Sequence, residues 1–149
     1  MGLDRPLAGV VFQRGRLDGQ LPQTIDVRPG SKIMVETEIG YLTSVDISYE
    51  VLNDEQARGA VESIVPIIEL PPAGQPGVAL KAADLVAMNI GSDRYIVGRP
   101  MKAEGKSPDA IHVALRRDGV PLHEAQGGIV SGGQWGNLRQ VLNEITRHG

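Results

Sequence analysis

The apolar and polar positions of the chain predict a succession of short strands. Residues 7–12 and residues 33–42 read as strands, and the apolar stretch from residue 64 ends in Glu69. Pro66 is expected to mark the point where that stretch becomes a strand. Residues 71–77 are rich in proline and glycine, so they predict a loop directly after Glu69.

Two helices and one hairpin complete the predicted elements. Asn53 precedes acidic residues and is expected to cap a short helix, because its side chain can accept from the first free amides. Residues 111–115 alternate, Asp118-Gly119 is a hairpin signal, and residues 120–124 are the predicted second arm. Near the end of the chain, four apolar residues have the spacing of an amphipathic helix: Leu138, Val141, Leu142 and Ile145.

Three carboxylates occupy positions that packing does not require. Period-two geometry puts Glu36 and Glu38 on one face of their strand, where two like charges oppose each other unless a cation or water compensates. An edge strand with its polar face in solvent is one interpretation. Glu69 favours the other, since an acid inside Ile-Ile-Glu-Leu is hard to solvate and three carboxylates suit a hard divalent ion.

Around these acids the sequence resembles the 2-keto-4-pentenoate hydratases and 4-oxalocrotonate decarboxylases of the fumarylacetoacetate hydrolase superfamily. Residues 35–42 are similar to the family's strand Val-Glu-x-Glu-hydrophobic-Ala-Phe-hydrophobic, and residues 66–70 to its Pro-Ala-Ile-Glu segment. Residues 83–98 resemble Ala-Asp-Leu-Ile-Ala-Asp-Asn-Ala-Ser-Ser-Gly-x-Phe-Val-Leu-Gly. Further matches at residues 115–120 and 133–138 extend the resemblance over nearly the whole chain.

This resemblance implies an α+β fold, a mixed β-roll of the fumarylacetoacetate hydrolase C-terminal domain type with a few short helices. It also implies a Mg²⁺ or Mn²⁺ ion held by Glu36, Glu38 and Glu69. Asn89 and Ser92 match polar residues that line the family's substrate pocket, although Asn-Ile-Gly-Ser-Asp is also ordinary turn chemistry.

Departures from the family pattern bear on the chemistry more than on the metal. The family carries an N-terminal region with a lysine resembling a proton-transfer residue, and the chain is expected to lack it. Met88 stands where the family has an aspartate, and Pro72 with residues 73–74 replaces a further Asp and Arg. No catalytic residue is therefore assigned, and Lys32, Lys81 and Lys102 are only candidate proton donors.

Composition predicts a single domain over residues 1–149, long enough to bury about two-thirds of its unfolded surface. The net charge of −3 and three percent aromatic content argue against a nucleic-acid partner. Cysteine is absent, which excludes a thiolate zinc site. The three histidines lack the spacing of a metal cluster, and no membrane-spanning stretch or leader is visible. A cytoplasmic protein without a membrane partner is expected.

The resemblance implies a metal-dependent lyase of aromatic catabolism that adds water to a 2-hydroxy-2,4-dienoate, with a small keto acid as its ligand. Two alternatives stay open: a decarboxylase or C–C hydrolase of the same superfamily, and a non-catalytic module that binds small keto acids. Without the lysine region, hydratase activity is expected to be weak even where binding persists. Because the family is oligomeric, a homo-oligomer is expected as well.

Overall fold

The computed structural model describes residues 8–17, 22–73 and 80–148. In these residues the elements follow one another as β1 (Glu36–Thr43), α1 (Asp54–Gly59), β2 (Val61–Leu70), α2 (Ala82–Ala87), β3 (Arg94–Val97), β4 (Met101–Lys102), β5 (His112–Arg117), β6 (Val120–Gln126) and α3 (Gly133–His148). Short 3-10 turns lie at Gln13–Gly15, Asn89–Gly91, Pro108–Ala110 and Gly127–Ile129. The fold is α+β, as predicted.

The chain groups into two compact units. One comprises residues 1–36 and 67–97, and the other comprises residues 37–66 and 98–149. Helix α2 and strand β3 belong to the first unit, whereas α1, β4, the β5–β6 hairpin and α3 belong to the second. The single domain over residues 1–149 stays a prediction.

Strand β2 is the centre of the larger sheet. The strand order is β1-β2-β3, and β4 also pairs with β2. Both β3 and β4 run antiparallel to β2, with Glu69 opposite Tyr95 in the first pair and Ile64 opposite Met101 in the second. One long strand therefore serves two short partners, one after the other along its length.

The prediction that Pro66 marks the start of a strand is wrong, because β2 already begins at Val61. Pro66 lies between the stretch that pairs with β4 and the stretch that pairs with β3. Its carbonyl accepts from the Gly98 amide at 2.8 Å. A Cβ atom on Gly98 would lie 2.6 Å from Pro66 Cγ. Proline is tolerated inside β2 because its ring faces a glycine at the change of partner.

The strand predicted at residues 7–12 is also wrong for the part that the structure describes; Leu7 lies outside the described residues. Residues 8–12 belong to no strand, and the Gln13–Gly15 turn follows them. The backbone N–H and C=O of Val10 instead bind the side chain of Asn89. An amide side chain thus satisfies the two groups that a neighbouring strand would otherwise satisfy.

The core of the second unit confirms that α3 is amphipathic. One cluster consists of the buried residues Val61, Ile64, Ala103 and Trp135, with Ile39, Tyr41, Ile111 and Leu138 packed against it. Leu138 and Leu142 also contact a second cluster, around Val51 and Ala57. The other two residues of the predicted apolar face are more exposed: Val141 is 38% exposed and Ile145 is 55% exposed. No helix in the described ranges is long and apolar enough to cross a membrane.

The predicted cap and hairpin are both confirmed. The Asn53 side chain accepts from the Gln56 amide at 2.9 Å and begins α1. Strands β5 and β6 meet at Asp118 and Gly119, whose φ values of 52° and 80° fit the tight turn predicted for Asp-Gly. Local sequence signals thus located the beginning of α1 and the turn of the hairpin.

A polar network joins β1 to the beginning of α3. The Tyr41 hydroxyl donates to Gln134 Oε1 at 2.8 Å, and Gln134 Nε2 donates to the Gly127 carbonyl at 2.9 Å. The Gln134 backbone amide donates to Asp109 Oδ1 at 2.9 Å. Burial, with the Asp109 charge as a smaller contribution, raises the pKa of Tyr41 to about 12. The network therefore requires a protonated tyrosine.

This pKa predicts an alkaline loss of stability. The unfolded tyrosine ionises near pH 10, whereas the folded one holds its proton until about pH 12, so the free energy of unfolding should fall between these values. Tyr41→Phe should reduce that fall and cost about 1 kcal/mol at neutral pH. Urea unfolding at pH 8, 10 and 11 measures both effects. Tyr49→Phe, at a tyrosine that is 52% exposed, is the control and should behave like the unmodified chain.

Candidate metal centre

Strands β1 and β2 bring three carboxylates together. One oxygen from each of Glu36, Glu38 and Glu69 lies within 4.8 Å of the other two. Glu36 and Glu69 are half-buried and Glu38 is exposed. The structure therefore places side by side the three acids that the sequence selected as metal ligands.

The backbone before β1 and after β2 explains this proximity. The Met34 amide donates to the Pro71 carbonyl at 2.9 Å, and the Ala73 amide donates to the Lys32 carbonyl at 2.9 Å. Ile33 and Pro72 form an antiparallel bridge. Glu36 lies three residues after Ile33, and Glu69 lies three residues before Pro72, so both acids are close to this bridge along the chain. Side chains of neighbouring residues on paired segments are close enough to meet.

The two faces of β1 have different chemistry. Ile39 and Tyr41 pack against the apolar cluster around Ile64 and Trp135. Glu36 and Glu38 have the opposite parity, so they share the other face. The alternation that puts apolar side chains in the core thus gathers the carboxylates on the face that Glu69 reaches.

Like charges at this distance destabilise the cluster unless something compensates them. Within the described part of the chain, the side chains of Glu36 and Glu69 make no hydrogen bond or ion pair. Three carboxylates supply only hard oxygen donors, which suit Mg²⁺, Mn²⁺ or Ca²⁺ and not a soft metal. The donor set and its spacing therefore fit a hard divalent cation.

Asn89 and Ser92 lie on the turn between α2 and β3. Asn89 and Ile90 both have left-handed backbone conformations, with φ of 52° and 56°. The Ser92 amide donates to the Asn89 carbonyl at 3.1 Å. Sequence reasoning selected this turn but missed its contact with Val10, because a hydrogen bond across 79 positions leaves no local pattern.

The candidate proton donors occupy different elements. The Lys32 carbonyl belongs to the contact before β1, and the Lys81 amide begins α2 by donating to Asp84 Oδ2 at 2.8 Å. Lys102 on β4 lines a cavity of about 340 Å³ in the second unit, together with Arg58, Glu62 and Glu104. None of these lysines is assigned a catalytic role.

Comparison with known proteins identifies relatives. No family model matches the chain. The chain is 26% identical over 133 residues to 2-keto-4-pentenoate hydratase of Paraburkholderia xenovorans (strain LB400), and likewise to 2-keto-4-pentenoate hydratase 3 of Pseudomonas putida. The predicted resemblance to these hydratases is confirmed. Each alignment covers 89% of this chain and 49% of the relative, so the chain spans about half the length of the curated relatives it matches.

Solved structures support the fold. The chain superimposes with a TM-score of 0.69 on 4-oxalocrotonate decarboxylase from Pseudomonas putida G7 complexed with magnesium and adipate, at 19% identity. The same enzyme complexed with calcium and acetate gives a TM-score of 0.68. Each match covers 78% of this chain and 45% or 44% of the other. Both structures of this enzyme thus share the backbone fold of the chain.

The spacing of the carboxylates predicts a gain in stability when one is neutralised without metal. In the presence of a chelator, Glu69→Gln should raise the free energy of unfolding by roughly 1 kcal/mol, because it removes repulsion between half-buried like charges. Urea unfolding in EDTA measures this change. Glu62→Gln on the same strand is the control and should give no gain, since Glu62 is exposed and shares a cavity with Arg58 and Lys102. Equal or lower stability of Glu69→Gln would contradict the repulsion.

Proposed function

We propose that this chain is the metal-binding core of a hydratase-like protein that acts on a 2-hydroxy-2,4-dienoate or a related 2-keto acid. The observation that carries the proposal is the cluster of Glu36, Glu38 and Glu69 on two neighbouring strands. The similarity to 2-keto-4-pentenoate hydratases over 89% of the chain supports it. The finer fold assignment, a mixed β-roll of the fumarylacetoacetate hydrolase type, belongs to the same proposal.

The three glutamates would hold Mg²⁺ or Mn²⁺ and leave further coordination positions to the ligand and water. When bound, such an ion supplies Lewis-acid stabilisation of negative charge on the keto-acid oxygen. Asn89 and Ser92 would orient the substrate or water. Water adds to the diene to give a 4-hydroxy-2-keto acid, and this addition also delivers a proton to carbon. The residue that carries this proton stays unassigned.

A decarboxylase or C–C hydrolase is the second candidate, because the fold matches that of a 4-oxalocrotonate decarboxylase with a TM-score of 0.69. In such an enzyme the three carboxylates would likewise serve as metal ligands. A third candidate is a non-catalytic module that binds small keto acids. Homo-oligomerisation stays a prediction.

Metal binding is the first test. Titration calorimetry of chelator-stripped protein with MnCl₂ and MgCl₂ should show one site per chain. Glu38→Gln and Glu69→Gln should each weaken binding roughly tenfold or more, since each removes one anionic donor. Glu62→Gln is the matched control, because it removes a charge from β2 outside the cluster, and it should bind like the unmodified chain. A chain that binds neither ion would overturn the proposed function.

The second test separates an enzyme from a binding module. Oxalate should bind only when manganese is present, because the carboxylates alone repel an anion. Loss of dienol absorbance of 2-hydroxypentadienoate measures turnover. We expect it to be slow, since a positioned acid–base group contributes about 10²- to 10⁴-fold and none is assigned here. Slow turnover that Glu69→Gln abolishes supports an enzyme, whereas metal-dependent oxalate binding without turnover supports a binding module.

A further inference from the structure

The turn after α2 holds a backbone conformation that its residues do not prefer. Asn89 tolerates a left-handed conformation, but Ile90 is β-branched and adopts it rarely. Gly91 follows with φ of 80°, which makes three left-handed residues in succession. Such a conformation persists only where the surrounding structure enforces it.

Two hydrogen bonds between Asn89 and Val10, called the clamp from here on, hold this turn in place. The Val10 amide donates to Asn89 Oδ1 at 2.7 Å, and Asn89 Nδ2 donates to the Val10 carbonyl at 2.6 Å. The preceding residue is a glycine, and a Cβ atom on Gly9 would lie 3.1 Å from the Asn89 carbonyl oxygen and 3.3 Å from Ile90 Cδ1, which is a tight contact. The Gly9–Val10 backbone is thus fitted closely to the turn.

The turn held by Asn89 leads directly into β3, and β3 pairs with β2 in the stretch that contains Glu69. A Cβ atom on Gly91 would lie 3.8 Å from Pro71 Cβ, two residues after Glu69. Ser92 closes the turn, and β3 then places Tyr95 opposite Glu69. All of these residues belong to the first unit.

We propose that Asn89 is a positioning residue, whose clamp on Val10 fixes the strained turn and thereby the placement of Ser92 for an anionic ligand at the carboxylate cluster. This inference rests on the proposed function and deepens it. One acceptor site and one N–H donor of the Asn89 amide are bound to Val10, so a change of this amide releases the turn from the Gly9–Val10 segment.

The test uses two variants and a matched control. Asn89→Asp keeps the size and the acceptor but removes the donor to the Val10 carbonyl, and Asn89→Gly keeps the left-handed turn without any clamp. Asn143 supplies the control, because its side chain binds the Val51 amide at 2.7 Å and the Val51 carbonyl at 2.9 Å in the second unit. Asn143→Asp therefore breaks an equivalent pair of hydrogen bonds away from the turn.

Calorimetry with manganese and then oxalate, together with hydrogen exchange of the Val10 and Val51 amides, gives the readouts. Both Asn89 variants should bind oxalate about tenfold more weakly, with manganese affinity within about twofold of the unmodified chain. They should also lose protection of the Val10 amide. Asn143→Asp should lose protection of the Val51 amide only and keep its oxalate affinity.

Three outcomes would overturn the inference. An unprotected Val10 amide in the unmodified chain means that the clamp does not exist. Unchanged oxalate affinity in both Asn89 variants, or an equal loss in Asn143→Asp, removes the positioning role while the metal site stands. If the unmodified chain binds no manganese, the proposed function fails first and the inference fails with it.

Discussion

The candidate site depends on the antiparallel contact between the residues before β1 and those after β2. Two backbone hydrogen bonds, from Met34 to Pro71 and from Ala73 to Lys32, set this register. A slip of one position would turn the side chains of one segment to the other face. Glu36 and Glu69 would then no longer share a face. The placement of the carboxylates thus depends on this register.

Two glycines allow neighbouring segments of the chain to approach each other closely, and at one of them the neighbour is a proline. The ring of Pro66 packs closely against Gly98, and the left-handed turn at Asn89 packs closely against Gly9. In each case the absent side chain provides space that backbone or ring atoms use. The proline that interrupts the sequence pattern is therefore compatible with an uninterrupted strand, because β2 changes partners at that position.

Two asparagine side chains each bind both backbone groups of one distant residue. Asn89 binds both backbone groups of Val10, and Asn143 does the same for Val51. A primary amide offers a donor and an acceptor side by side, so it can satisfy a peptide unit that has no strand partner. These contacts span 79 and 92 positions, so each anchors a distant segment through one side chain.

The sequence by itself determined the features that depend on neighbouring residues. The Asn53 cap and the Asp118-Gly119 turn each express local geometry, and both occur as predicted. The match of residues 35–42 and 66–70 to family segments selected the three carboxylates that the structure brings together. Tertiary structure decided the rest: β2 runs through Pro66, and Val10 joins no strand. The physical reason is that the partners in these two contacts are distant in sequence: the Gly98 amide donates to the Pro66 carbonyl, and Asn89 Oδ1 accepts from the Val10 amide, so no local pattern shows either contact.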